Sequence, residues 1–213
     1  PHARGEGYLH REAQGLRLRL HGEAQHPRAL AQARFDDVVA TLANVIADFD
    51  PHVLVTYDMA GTYGHPDHKM VHTASMAAIP LVEARTGREL IVWESVTEHS
   101  ALHEGLASAS SVPQGWRMPG TGELPSYPDD EIDAAIDVSA VYDRKVDGLR
   151  AHATQVTVAP SGTEYALSNN ILQPIMSDEH FVLRSNRDRL TSGRCAADLF
   201  FSDHASDGSS DGV

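Results

Sequence analysis

His52-Val53-Leu54-Val55-Thr56-Tyr57-Asp58 leads through Met59-Ala60-Gly61-Thr62-Tyr63-Gly64 into His65-Pro66-Asp67-His68, with His72 four residues on. The opening run is apolar and rich in β-branched and aromatic side chains, which predicts a buried strand. The glycine-containing stretch after it predicts a loop. Pro66 suits a first helical turn, where its missing N–H would have no intrahelical partner, so a helix is predicted from Pro66 to about Ala78. Two imidazoles and a carboxylate thus gather where a strand ends and a helix begins. In open α/β sheets, ligands bind at the carboxyl ends of strands. The placement makes this histidine cluster a candidate site.

The chain has 213 residues, with 17 Lys+Arg against 30 Asp+Glu and a net charge of −13. That length suits one domain with a sizeable core. The acidic balance repels phosphate backbones and argues against a nucleic-acid partner. Cys195 is the only cysteine, so no internal disulfide forms, and a reducing, cytoplasmic setting fits. No apolar run approaches the roughly 20 residues a membrane helix needs, and the N-terminus lacks a signal-peptide core.

Residues 1–25 read as an atypical, poorly packed segment, although Leu16-Arg17-Leu18-Arg19-Leu20 alternates as a strand would. A helix is predicted over 29–49 from the spacing of Leu30, Phe35, Val38, Val39, Leu42, Val45, Ile46 and Phe49, ending at Asp50-Pro51. A second strand is predicted over 89–96. A long loop with one short helix follows over 99–126, then a strand over 132–138 and a helix over 140–154. Residues 165–184 predict a turn, a short helix and an extended Phe181-Val182-Leu183. The Ser/Asp/Gly-rich tail, 201–213, predicts disorder. Alternation of helix and strand implies an α/β fold with a parallel sheet. Few strands are evident, and those lacking would lie before residue 26.

Neutral imidazole is the commonest metal ligand, and a nearby carboxylate fixes its tautomer. Of the two imidazoles in His65-Pro66-Asp67-His68, one could hold a metal while the other, oriented by Asp67, stabilises an oxyanion or donates a proton. His68 and His72 stand one helical turn apart and could share a face. The alternative is a solvated, histidine-rich helix start with Asp67 serving the helix dipole. Nitrogen and oxygen ligands suit zinc without naming it.

The Val-Thr-Tyr-Asp strand followed by Tyr-Gly-His-Pro-Asp-His resembles the second motif of the LmbE-like (GlcNAc-phosphatidylinositol de-N-acetylase) zinc amidohydrolases. The segments His26–Leu30, Ala151–Val156, Ala166–Asn170 and Asp178–Leu183 resemble the mycothiol-biosynthesis deacetylases within that family. The likeness runs over about 26–184, within a predicted domain of 26–200. It implies a Rossmann-like sheet flanked by helices and a small amino-sugar conjugate, N-acetylglucosaminyl-inositol, as substrate. It further implies Zn2+ as cofactor with His68 as a ligand. His65 would stabilise the tetrahedral intermediate and protonate the leaving amine, and Asp67 would orient His65. Tyr63 would polarise the substrate carbonyl. Asn169 would contact the sugar or inositol, although a turn-capping Asn reads equally well there.

The resemblance has one break. Family members open with a strand ending in His-Pro-Asp-Asp, which gives zinc a histidine and an aspartate and supplies the general base; this chain has no such motif. Tyr127-Pro128-Asp129-Asp130 lacks the histidine and lies in a Pro/Ser-rich loop, so it is rejected as a zinc site. His2, His10, His21 and His26 are likewise in the wrong context. One recognisable ligand holds zinc poorly, since catalytic zinc takes three. The expectation is an N-terminally incomplete or misframed deacetylase. A mycothiol S-conjugate amidase and an inactive remnant that only binds sugar or a partner chain are the alternatives.

Overall fold

The structure, a computed structural model, describes residues 26–185. The segment 1–25, Cys195, the end of the 26–200 domain and the tail 201–213 lie outside the described residues.

Helix α1 spans Phe35–Phe49, and Asp36 and Asp37 in its first turn complement the helix dipole. It starts later than the predicted 29–49. Leu30–Gln32 form a separate 3-10 turn, and Ala33 and Arg34 are extended, so the chain changes direction before the apolar stripe begins. Asp50 ends α1 in the left-handed region (φ 53°), its N–H donating to the Ile46 carbonyl at 2.9 Å. Arg88 grips Asp50 from across the fold. Strand β1 (Val53–Tyr57) follows as predicted.

Helix α2 runs Pro66–Thr86, a full two turns past the predicted end. Pro80, a residue that ordinarily ends a helix, is exposed and lies within it. Ile79 and Val82 beside it are buried against Leu90, Val92 and Ile46. That burial outweighs the roughly 3 kcal/mol a proline costs a helix interior. Gly87 closes the helix at φ 70°, its N–H reaching the Glu83 carbonyl at 2.8 Å.

The remaining elements are β2 (Ile91–Val96), α3 (His99–Ala107), β3 (Ala134–Asp137), α4 (Tyr142–Ala151), β4 (Val156–Val158), β5 (Glu164–Leu167), β6 (Leu172–Pro174) and β7 (Asp178–Leu183). The main sheet has the order β1-β2-β7-β3. Only β1 and β2 are parallel, with Thr56 opposite Glu94; β7 is antiparallel to both β2 and β3. The fold is α/β as read from sequence, with a mixed rather than a parallel sheet. A second, antiparallel sheet, β4-β5-β6, occupies the stretch where a short helix was expected. Its strands are three or four residues long, too short to show a clear period.

Alternation along β2 divides the core between the two faces of the sheet. Ile91 and Trp93 pack with Ala134, Phe181 and Leu183, the Trp93 and Phe181 rings meeting edge-on at 6.4 Å. Leu90 and Val92 pack with Ile46, Ile79 and Val82 beneath α1 and α2. Small residues let those helices approach closely, with Ala74 and Ala78 fully buried beside Val39. The β1-to-α2 junction is thereby fixed on a rigid base. Among the described residues, no helix is long and apolar enough to cross a membrane.

Candidate active site

The loop between β1 and α2 is the most constrained backbone near the histidines. Gly61 (φ 68°), Thr62 (φ 58°) and Gly64 (φ 89°) all adopt the left-handed region, which costs a β-branched residue such as Thr62 most. Asp58 closes the loop twice. Its carbonyl accepts the Gly61 N–H at 2.9 Å, and its Oδ1 accepts the Thr62 N–H at 2.5 Å. A Cβ at Gly61 would stand 2.9 Å from the Lys69 nitrogen and 3.0 Å from the His65 oxygen, so the loop lies directly on the first turn of α2.

From that loop Tyr63, His65 and His68 come together. The His65 and His68 ring centroids are 4.8 Å apart. The Tyr63 ring stands edge-on to both, at 6.1 Å from His65 and 5.2 Å from His68. His68 also stacks on Tyr57, at 3.9 Å with 3° between planes. A groove of about 500 Å³ runs past Gly64 and Pro66, lined by Ala31, Phe35 and Met70.

His65 is the N-cap of α2, its Nδ1 accepting the Asp67 N–H at 3.1 Å. A neutral ring that accepts at Nδ1 carries its proton on Nε2. The contact between Asp67 and His65 runs through the Asp67 backbone. The Asp67 carboxylate is turned outward to the 3-10 turn, where Oδ1 accepts the Ala31 N–H at 2.7 Å.

His72 does not join His68 in a common site. Its Nδ1 lies 2.9 Å from the Tyr57 carbonyl and 3.3 Å from Glu94 Oε1, so it is spent on the sheet. Asn169 sits in the β5–β6 turn, where its Oδ1 accepts the Ile171 N–H at 3.1 Å and Asn170 is left-handed. The turn-capping reading accounts for that oxygen. Asp129 Oδ1 accepts the Ser100 N–H at 3.0 Å, an exposed contact with the first turn of α3.

Sequence reasoning passed over a buried polar group beside the cluster. Asp58 and Glu94 are 2% and 1% exposed. Glu94 Oε2 pairs with Arg184 at 2.6 Å, and Asp58 Oδ2 accepts the Tyr127 hydroxyl at 3.0 Å. Acids at the ends of apolar strands were the available signal; partners tens of residues away in sequence were not visible.

Burial, followed by the neighbouring His65, pushes the His68 imidazole below its ordinary value of 6.5; Gly61, Asp67 and Asp58 pull more weakly upward. NMR titration of His68 is expected to give a midpoint below 6.5. The unfolded chain then binds this proton first as pH falls through 6.5, so His68 removes stability from there down to its folded value. A midpoint at or above 6.5 would contradict the burial argument.

His68 Nδ1 is buried without a hydrogen-bond partner, which suits a nitrogen available to a metal. Yet among the described residues, no three His, Cys, Asp or Glu side chains are grouped to hold a metal ion. Catalytic zinc takes three protein ligands, so the described residues do not by themselves make a zinc site.

Residues 12–79 match the PIG-L family, described as GlcNAc-PI de-N-acetylase. The 1D-myo-inositol 2-acetamido-2-deoxy-alpha-D-glucopyranoside deacetylase of Gordonia bronchialis is 62% identical over 160 residues, covering 75% of this chain and 56% of the relative. Its namesake in Rhodococcus jostii is 51% identical over 167 residues, covering 75% and 57%. The one in Mycobacteroides abscessus is 43% identical over 175 residues, covering 82% and 61%. The chain spans little more than half the length of these relatives. The histidine motif at the β1–α2 junction lies inside the stretch that matches the PIG-L (LmbE-like) family, and the similarity to these deacetylases runs along three quarters of the sequence.

Proposed function

We propose that this chain serves the zinc-dependent removal of acetate from N-acetylglucosaminyl-inositol, a cytoplasmic step of mycothiol biosynthesis. One observation carries the reading. The His65 imidazole lies 4.8 Å from the His68 imidazole, whose buried Nδ1 has no hydrogen-bond partner, beyond the carboxyl end of strand β1. The substrate is the one for which its relatives are named.

Amide hydrolysis needs a proton for the departing nitrogen as the C–N bond breaks. His65, having taken up the proton that the attacking water gives up, would supply it as the imidazolium and return to the neutral ring. The Tyr63 hydroxyl would donate to the carbonyl oxygen as negative charge develops there. Asn169 would contact the sugar through its amide, and Asp67 would act by fixing the start of α2. His68 would give zinc one ligand; among the described residues no group of three completes the site.

The test is acetate release from N-acetylglucosaminyl-inositol by purified chain supplied with zinc. His65→Ala is expected to lower turnover about a hundredfold, the lower bound for losing a general acid. His68→Ala is expected to lose turnover and zinc together. No release from the wild-type chain, or release indifferent to both substitutions, would overturn the reading and favour a remnant that only binds sugar.

A further inference from the structure

The least expected charge near the site is Asp58, and nothing in the chemistry proposed above uses it. A carboxylate this deeply buried costs several kcal/mol unless its oxygens are matched. Both are matched, by donors from different parts of the chain. Oδ1 takes the Thr62 N–H inside the motif loop, and Oδ2 takes the Tyr127 hydroxyl, 69 positions away in sequence.

Tyr127 is itself fixed at the end of the main sheet. Its N–H donates to the Thr97 carbonyl at 2.7 Å, and its carbonyl accepts the His99 N–H at 2.9 Å. Arg184, paired with Glu94, adds a positive charge near both Asp58 and Tyr127. A rigid anchor therefore holds Asp58, and Asp58 holds Thr62. Thr62 is the residue for which a left-handed backbone is least natural, and Tyr63 is next to it in the chain. The loop then packs through Gly61 onto the His65 carbonyl and Lys69. A shift at Thr62 is passed directly to Tyr63 and to the His65 cap, because no slack separates them.

We propose that Asp58 and Tyr127 are positioning residues: the Tyr127–Asp58–Thr62 hydrogen-bond chain sets the strained loop that aligns Tyr63 and His65 with His68. The proposal rests on the deacetylase reading for its kinetic consequence, not for its structural one. A simple space-filling role for Asp58 would need neither the charge nor the hydroxyl.

The test compares Tyr127→Phe, Asp58→Asn and Asp58→Ala in the whole chain with two readouts. The first is the ¹H–¹⁵N spectrum of the His65 and His68 rings. The expected result is displaced ring signals in Tyr127→Phe and Asp58→Ala, with the amides of β4, β5 and β6 unmoved. Asp58→Asn, whose amide oxygen can still accept from Thr62, should restore the ring signals in large part. The second readout is acetate release. Misplacing a catalytic group by an ångström costs up to about a hundredfold, so Tyr127→Phe should lower kcat about tenfold or more. KM should stay within about twofold, since ground-state binding is untouched.

Ring signals that match wild type in Tyr127→Phe would overturn the proposal. So would Asp58→Asn behaving as Asp58→Ala, which would mark a structural role alone. Where the wild type turns over, a rise in KM at constant kcat also overturns it. If the wild type releases no acetate while the ring signals move as described, the deacetylase reading fails and the positioning assignment stands.

Discussion

Trp93→Ala is expected to destabilise the protein by about 3–5 kcal/mol, the range for emptying a large aromatic site in a packed core. Trp93 is fully buried at the centre of β2, edge-on to Phe181 and packed with Ile91, Ala134 and Leu183. None of these neighbours can move in to refill the space, since each belongs to a hydrogen-bonded strand of the same sheet or is fixed against one. Chemical denaturation with matched slopes would show the loss as a lower midpoint. A change under about 1 kcal/mol would mean that the sheet collapses around the cavity and is not the rigid base assigned to the site.

Gly61→Ala is expected to be nearly as damaging although it adds one methyl group. The left-handed backbone costs a side-chain-bearing residue about 1–2 kcal/mol. The new Cβ would meet backbone atoms, the Lys69 nitrogen at 2.9 Å and the His65 oxygen at 3.0 Å, which cannot swing aside as a side-chain tip can. Overpacking of this kind adds about 1–3 kcal/mol, for a total of about 2–5. The damage should also be local, moving the His65 and His68 ring signals while the β4–β6 amides keep their shifts. Gly64, whose Cβ would meet nothing within 4 Å, is the control: Gly64→Ala should carry the backbone cost alone.

These two sites show what the sequence could and could not disclose. The strand 53–57, the loop after it and the helix from Pro66 were legible because each follows from local chemistry: a β-branched run, a glycine-rich turn, a proline at a first turn. The clustering of Tyr63, His65 and His68 followed from that geometry. The length of α2 was not legible, because Pro80 signals a stop that only burial of Ile79 and Val82 overrides. Nor was the second sheet, whose short strands are paired by long-range contacts. The use of His72 depends on Glu94, and that of Asp58 on Tyr127. Both are tertiary facts; the helical spacing that puts His68 and His72 on one face, where both meet Tyr57, does not disclose that His72 is also held by Glu94. The outward turn of Asp67 depends on Ala31, which the predicted helix had placed inside regular structure.

The most direct test of the account is the zinc content of the purified chain after equilibrium dialysis, for the wild type, His68→Ala and His72→Ala. The account predicts that the zinc the wild-type chain binds is lost in His68→Ala and retained in His72→Ala, because His68 offers an unpartnered buried nitrogen and His72 is committed to Tyr57 and Glu94. Zinc that survives His68→Ala, or that is lost in His72→Ala, would contradict it.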